Sequence, residues 1–146
     1  MKINKSRAII VFLCIIFLST VSYPQTIGQV FSKGAADTLF GNVIESVSIT
    51  QSDLDSVLNQ TQNYIMFQII NGELIILGDG RKVLYPAGKN VGPDEVFSLF
   101  SKSKVIELLG LGNGTIIAVE KRQCHLTVTF GSNTLELSWP CPPLCQ

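Results

Sequence analysis

Four cysteines and a single histidine are the residues of this 146-residue chain best suited to metal, redox or nucleophilic chemistry. Cys141 and Cys145 flank a Pro-Pro in the C-terminal "SWPCPPLCQ", and Cys124 precedes His125 in "RQCHLTV". A zinc site would need Cys124, His125, Cys141 and Cys145 together. Adjacent residues of a strand point to opposite faces, so Cys124 and His125 cannot both turn to one ion. The spacing also lacks the CxxC pairs of structural zinc sites. CPPLC has three intervening residues and no βαβ surroundings, unlike a thioredoxin-type pair. No metal or cofactor is expected, and a disulfide is the chemistry that remains.

Where it forms depends on the last hairpin. Cys124, Leu126, Val128 and Phe130 share one strand face, and Leu135, Leu137 and Trp139 share one face of the next. Laying these rows together sets Val128 opposite either Leu135 or Leu137, and both registers bring Cys124 toward Cys141. Cys124–Cys141 is the preferred pair and Cys124–Cys145 the second. Cys141–Cys145 ranks third, because a polyproline helix at Pro142-Pro143 advances ~3.1 Å per residue and would hold the two roughly 12 Å apart. The leftover thiol, Cys145 in the preferred arrangement, stays free or links a covalent homodimer.

Disulfides imply an oxidising compartment, and the N-terminus agrees. Basic "MKINKSR", apolar "AIIVFLCIIFL" and small-residue "STVS" form a secretory signal peptide over residues 1–22, with cleavage after Ser22. The apolar run falls short of the ~20 residues of a spanning helix. Cys14 would be discarded with the peptide. What remains, residues 23–146, is expected as one exported domain, secreted or periplasmic, with no membrane span. It carries eight basic against eleven acidic residues. Without a basic stripe to neutralise phosphates, nucleic acid is excluded as a partner.

The elements that must position these groups follow from periodicity. Residues 23–36 read as an extended lead-in, and 37–49 as either a short helix from Asp37 or a strand from Val43. Ser52 with Asp55 three residues on resembles a capping box, and Leu54, Val57 and Leu58 supply the stripe of a short helix. Then "NYIMFQIINGELIILGDGRKVLYP" forms a three-strand meander. Its strands turn at Asn71-Gly72 and Asp79-Gly80 and end at Pro86. Its first two strands are apolar on both faces, so both faces need cover. Pro93, Asp94 and Glu95 open a helix carrying Val96, Phe97 and Phe100. Val105, Ile106, Leu108 and Leu109 make another, closed by Gly110. Strands follow at 115–120, 124–130 and 134–139.

The expected fold is α+β: an antiparallel meander sheet of five to six strands with short helices on one face. Helices followed by a meander recur at 37–86 and 93–140, which suggests two tandem units. Other chemistry finds little support. His125 lies on the Thr127/Thr129 side of its strand and reads as solvent-facing, and no G-x-S-x-G elbow accompanies it. Asp53 and Asp55 lack the rest of a calcium loop. "GLGNG" at 110–114 follows a helix, the wrong order for a phosphate loop. Asn59 and Asn113 begin glycosylation sequons. Tyr64, Tyr85 and Trp139 are the aromatics that could form a binding surface.

"SKSKVIELLGLGN", residues 101–113, resembles the helix end of a module found in outer-membrane assembly lipoproteins and β-lactamase-inhibitor-like proteins. The resemblance implies helices ahead of an antiparallel meander and binding of other proteins without catalysis. It departs from the family after Gly110, where Leu111-Gly112-Asn113 replaces the usual proline, and no binding residue carries over. The expected function is therefore a non-catalytic exported protein that binds another protein or an envelope component. The alternative is a small hydrolase or ligand carrier whose site is assembled from distant residues.

Overall fold

The computed structural model describes residues 26–141. The expected signal peptide and its cleavage point, Cys14, Pro142-Pro143 and Cys145 lie outside the described residues. The fold is α+β, with antiparallel sheets. It opens with β1 (Gln29–Ser32) and α1 (Lys33–Phe40). Then come β2 (Glu45–Thr50), α2 (Gln51–Leu58), β3 (Tyr64–Ile70), β4 (Glu73–Leu77) and β5 (Val83–Tyr85). A second run repeats that order with β6 (Phe97–Ser101), α3 (Lys102–Leu111), β7 (Ile116–Lys121), β8 (Leu126–Phe130) and β9 (Asn133–Glu136), and β10 (Trp139–Cys141) closes it.

The strands build two five-stranded sheets rather than one sheet of five or six. The orders are β1-β9-β8-β7-β2 and β10-β6-β3-β4-β5. Each run thus lends its leading strand to the other: β2 pairs with β7, and β6 with β3. Between the sheets lies the main core, with Ile49, Ile117, Val128 and Leu135 facing Ile65, Phe67, Ile76 and Phe100. Leu54, Val57 and Leu58 of α2 and Val105 and Leu108 of α3 enter the same core. In contrast, α1 packs on the far side of the first sheet, so the helices do not share one face.

Local chemistry explains most boundaries. Asn71 (φ 53°) and Gly72 (φ 78°) both take positive φ, as the two-residue hairpin requires. The α2 cap is Thr50, not Ser52: its Oγ1 accepts the Asp53 N–H at 3.1 Å. Ser32 caps α1 in the same way through Ala35, so that helix starts at Lys33 and the 37–49 stretch is its tail followed by β2. The helix expected from Pro93 is instead strand β6. Phe97 and Leu99 face the outer core and Phe100 the inner one, so an apolar run that mimics a helix stripe is a strand buried on both sides.

The outer face of the second sheet is covered by the chain itself. Met66, Ile75, Leu77, Phe97 and Leu99 pack with Ile27 from the lead-in, Val91 from the 86–96 loop, and Trp139 and Cys141 of β10. Arg81 ties these pieces together. Its guanidinium donates to the carbonyls of Cys141 (2.9 Å), Gly92 (3.2 Å) and Glu95 (2.9 Å), and it lies 5.4 Å from the Phe97 ring centre.

Two glycines near the end of α3 separate steric from conformational effects. A Cβ on Gly112 would meet the Phe130 ring at 2.1 Å and its carbonyl oxygen at 2.8 Å, whereas one on Gly110 meets nothing within 4 Å. Gly112→Ala is expected to lower stability by about 1–3 kcal/mol. Gly110→Ala, inside the helix, is expected to raise it by about 0.5–1 kcal/mol. Chemical denaturation of the two variants side by side checks both signs.

Candidate functional site

The first sheet presents threonines and charged groups on its outer face, and α1 covers them. Glu120, Arg122, Thr127, Thr129, Thr134 and Glu136 are all buried there. Arg122, 1 % exposed, donates to Glu120 Oε2 (3.1 Å), Thr127 Oγ1 (3.2 Å), Asp37 Oδ1 (2.9 Å) and the Gly41 carbonyl. Thr129 adds a 2.8 Å hydrogen bond to Glu120 Oε2 and pairs with Thr134. The Arg122 hydrogen bond holds the exposed Asp37 carboxyl below the ordinary aspartate range, against a smaller upward push from burial. With α1 contributing only Ala36 as a buried residue, polar contacts fix this helix in place.

This network ends at a cavity of about 500 Å³. The cavity lies between the 121–125 turn, the chain crossing from β9 to β10, and the start of β6. His125, Glu136, Cys124, Gln68, Val96 and Leu137 are among its lining residues. Glu136 is 2 % exposed; its Oε1 lies 3.0 Å from His125 Nδ1 and its Oε2 accepts the Leu137 N–H. The His125 ring also packs on Phe40 of α1, centre to centre at 5.0 Å. A carboxylate thereby fixes the imidazole through Nδ1. Leu137 is held at φ 65° with 46 % of its surface exposed, and Val96 beside the cavity is 48 % exposed.

The sequence-predicted residues fall in different places. Cys124 is an exposed free thiol on the cavity wall. The expected Cys124–Cys141 bond is absent. Cys124 is free, and Cys141 is fully buried in the other sheet. Val128 does sit opposite Leu135, one of the two registers considered. However, β9 ends at Glu136, and the turn at Leu137 sends β10 to pair with β6 instead. The hairpin pairing thus stops five residues short of Cys141, which lies opposite Phe97 instead. His125 is not a plain solvent-facing residue either, because the Thr127/Thr129 side lies under α1.

Tyr64 and Trp139 both face the outer core of the second sheet, while Tyr85 packs on the inner core, so the three aromatics form no single surface. Asp53 is tied to the α2 cap through Thr50. Among the described residues, no three of His, Cys, Asp and Glu stand where they could hold a metal ion. No helix among them is long and apolar enough to cross a membrane. Sequence reasoning missed Glu136, Glu120 and Arg122. Their one signal was position: charged residues in alternate register with apolar ones on strands whose other face is core.

The Asp79 turn is structural. Its carboxylate accepts N–H groups from Gln62 (2.7 Å), Asn63 (3.0 Å) and Tyr64 (2.9 Å), and the Thr61 hydroxyl (3.0 Å). Burial pushes its pKa up, but these hydrogen bonds together pull it below the ordinary aspartate value. Comparisons with protein-family models, curated proteins and solved structures give no match.

Two outcomes follow. A carboxyl with a depressed folded-state pKa adds stability that is full above its unfolded value and lost as pH falls through the folded one. Asp79→Asn is therefore expected to destabilise the protein at pH 7 and to flatten its stability loss below about pH 4; urea titrations from pH 2 to 7 read both. Arg122→Met leaves the buried Glu120 carboxylate without its cation and should cost about 3–5 kcal/mol, read as a lower denaturation midpoint.

Proposed function

We propose that this chain is an exported, non-catalytic interaction protein, secreted or periplasmic. It holds a segment of another protein or an envelope component in the cavity beside His125. One observation carries the reading: the cavity joins exposed apolar side chains, Val96 and Leu137, to a polar wall containing a fixed imidazole. Exposed apolar groups beside anchored polar ones are what a protein-binding patch needs. A bulky residue at positive φ is strained, and strain gathers at working sites. The crossing between the sheets also demands a sharp turn there. What that demand leaves open is why the residue is Leu rather than Gly. Binding without catalysis is also what the resemblance at residues 101–113 implies, and the acidic excess of the exported chain supports a partner other than nucleic acid.

The Glu136–His125 pair favours a second reading, a small hydrolase or ligand carrier. A carboxylate-oriented imidazole is half of a nucleophile-activating arrangement. The Cys124 thiol lines the same cavity, yet no hydrogen bond joins it to the imidazole among the described residues. That separation supports binding over catalysis.

Cys124 offers the test. A photocrosslinker placed on this thiol in the native envelope or secreted fraction should capture a partner. Leu137→Gly should abolish capture while raising stability by about 1 kcal/mol through relief of the positive φ. Capture no greater than from a probe at a remote Ser52→Cys site would overturn the interaction reading. Turnover of ester, amide or phosphoester probes that His125→Ala abolishes would put the hydrolase in its place.

A further inference from the structure

Sheet edges expose unpaired backbone groups, and folded proteins protect them with short strands, proline, lysine or irregular register. Among the described residues the two sheets have four edges, and three of them are protected or short. β5 has three residues, a register break at Ile76/Leu77, and Pro86 behind it. β10 has three residues with Pro140 in the middle. β1 has four and runs straight into α1. The fourth edge, β2, is six residues of "ESVSIT" in unbroken register with β7, without proline or lysine.

The free groups of β2 can be assigned. Gln51 N–H donates to the Thr115 carbonyl at 2.9 Å, continuing the register that sets Thr50 opposite Ile116. In an antiparallel ladder hydrogen-bonded pairs alternate, so the odd-numbered residues of β2 spend their backbone groups on β7. The N–H and C=O of Ser46 and Ser48 therefore point outward along the open edge. In the matching position of the other sheet, the outer side of β6 is filled by an antiparallel strand, β10.

We infer that the open edge of β2 pairs antiparallel with β2 of a second copy of this chain, joining two five-stranded sheets into one of ten across a two-fold axis at Ser48. The sequence is self-complementary about that point. Ser48 meets Ser48, Ser46 meets Thr50, and Val47 meets Ile49, so hydroxyls face hydroxyls and apolar side chains face apolar ones. Glu45 falls opposite the neutral Gln51, and no like charges are paired. The stretch leading into β2 adds apolar surface that nothing among the described residues covers: Leu39 is 63 % exposed, Val43 37 % and Ile44 68 %. Five residues of strand pairing from each copy, 46–50, plus these side chains form a small interface, so the dimer is weak and concentration-dependent. It differs from a covalent dimer through a cysteine and leaves the His125 cavity open.

Sedimentation velocity of the exported chain with its thiols alkylated, over a concentration series, tests the inference. The expected result is a mass rising from one chain toward two. Ser48→Pro removes an outward N–H without touching the β7 ladder. It should raise the dissociation constant at least tenfold while leaving far-ultraviolet circular dichroism unchanged. A monomer at every concentration, or a dimer indifferent to Ser48→Pro, overturns the proposal. Should that variant fail to fold, Ser48→Cys on a Cys124→Ser background decides. A disulfide dimer under mild oxidation supports the two-fold at Ser48; a monomer under the same conditions overturns it.

Discussion

The second sheet is apolar on both faces, and the rest of the molecule is arranged around that constraint. Phe67, Ile76 and Phe100 point one way; Met66, Ile75, Leu77 and Leu99 point the other. A sheet of this kind cannot face water on either side, because each buried aliphatic side chain is worth about 1.5–3 kcal/mol. It must be a middle layer. The first sheet and two helices cover the inner face; the lead-in and the 86–96 loop cover the outer, where the edge strand β10 adds Trp139 and Cys141. Arg81, spending its guanidinium on three carbonyls, satisfies polar backbone that this cover would otherwise bury unpaired.

The cover explains the candidate site. To bring Trp139 and Cys141 to the second sheet, the chain must leave β9 in the first and cross between them. The crossing is short: Glu136 ends one strand and Trp139 begins the next. Leu137 makes the turn at φ 65°, with its N–H on the carboxylate of the preceding residue. The cavity opens where the two sheets part at this crossing. Its imidazole, its buried carboxylate and its exposed leucine are all consequences of how the fold passes from one layer to the other.

Much of this was legible where local chemistry rules. Asn71-Gly72 fixed its hairpin, because few other residue pairs take positive φ twice in succession. The stripes on α2 and α3 were readable from spacing, and so was one of the two registers for the final hairpin. Sheet membership was not, because period-2 alternation says which face a residue takes and nothing about which sheet the strand joins. Hence the sequence reads β10 as a continuation of β9 and places Cys124 beside a cysteine that belongs to the other sheet. β6 failed for a different reason: a strand buried on both faces has no alternation to read, and the Pro-Asp-Glu ahead of it mimics a helix start.

The polar underside of α1 was hidden most completely, and it bears most directly on function. Threonines alternating with apolar residues on β8 read as a solvent face, since that is where they usually stand. Here the lid is a helix of eight residues that buries a single alanine and packs Phe40 on Phe31, so little apolar area holds it. The buried Arg122 takes that role by joining the sheet's Glu120 to Asp37 and Gly41 at either end of the helix's last turns. A buried charge cluster is a costly fastener compared with packed side chains, but it is directional. It fixes one placement of α1, and through Phe40 that placement presses on the His125 ring. The imidazole is therefore held from two sides, by Glu136 within its own sheet and by a helix whose position depends on Arg122. Any change that loosens α1 reaches the cavity through that contact.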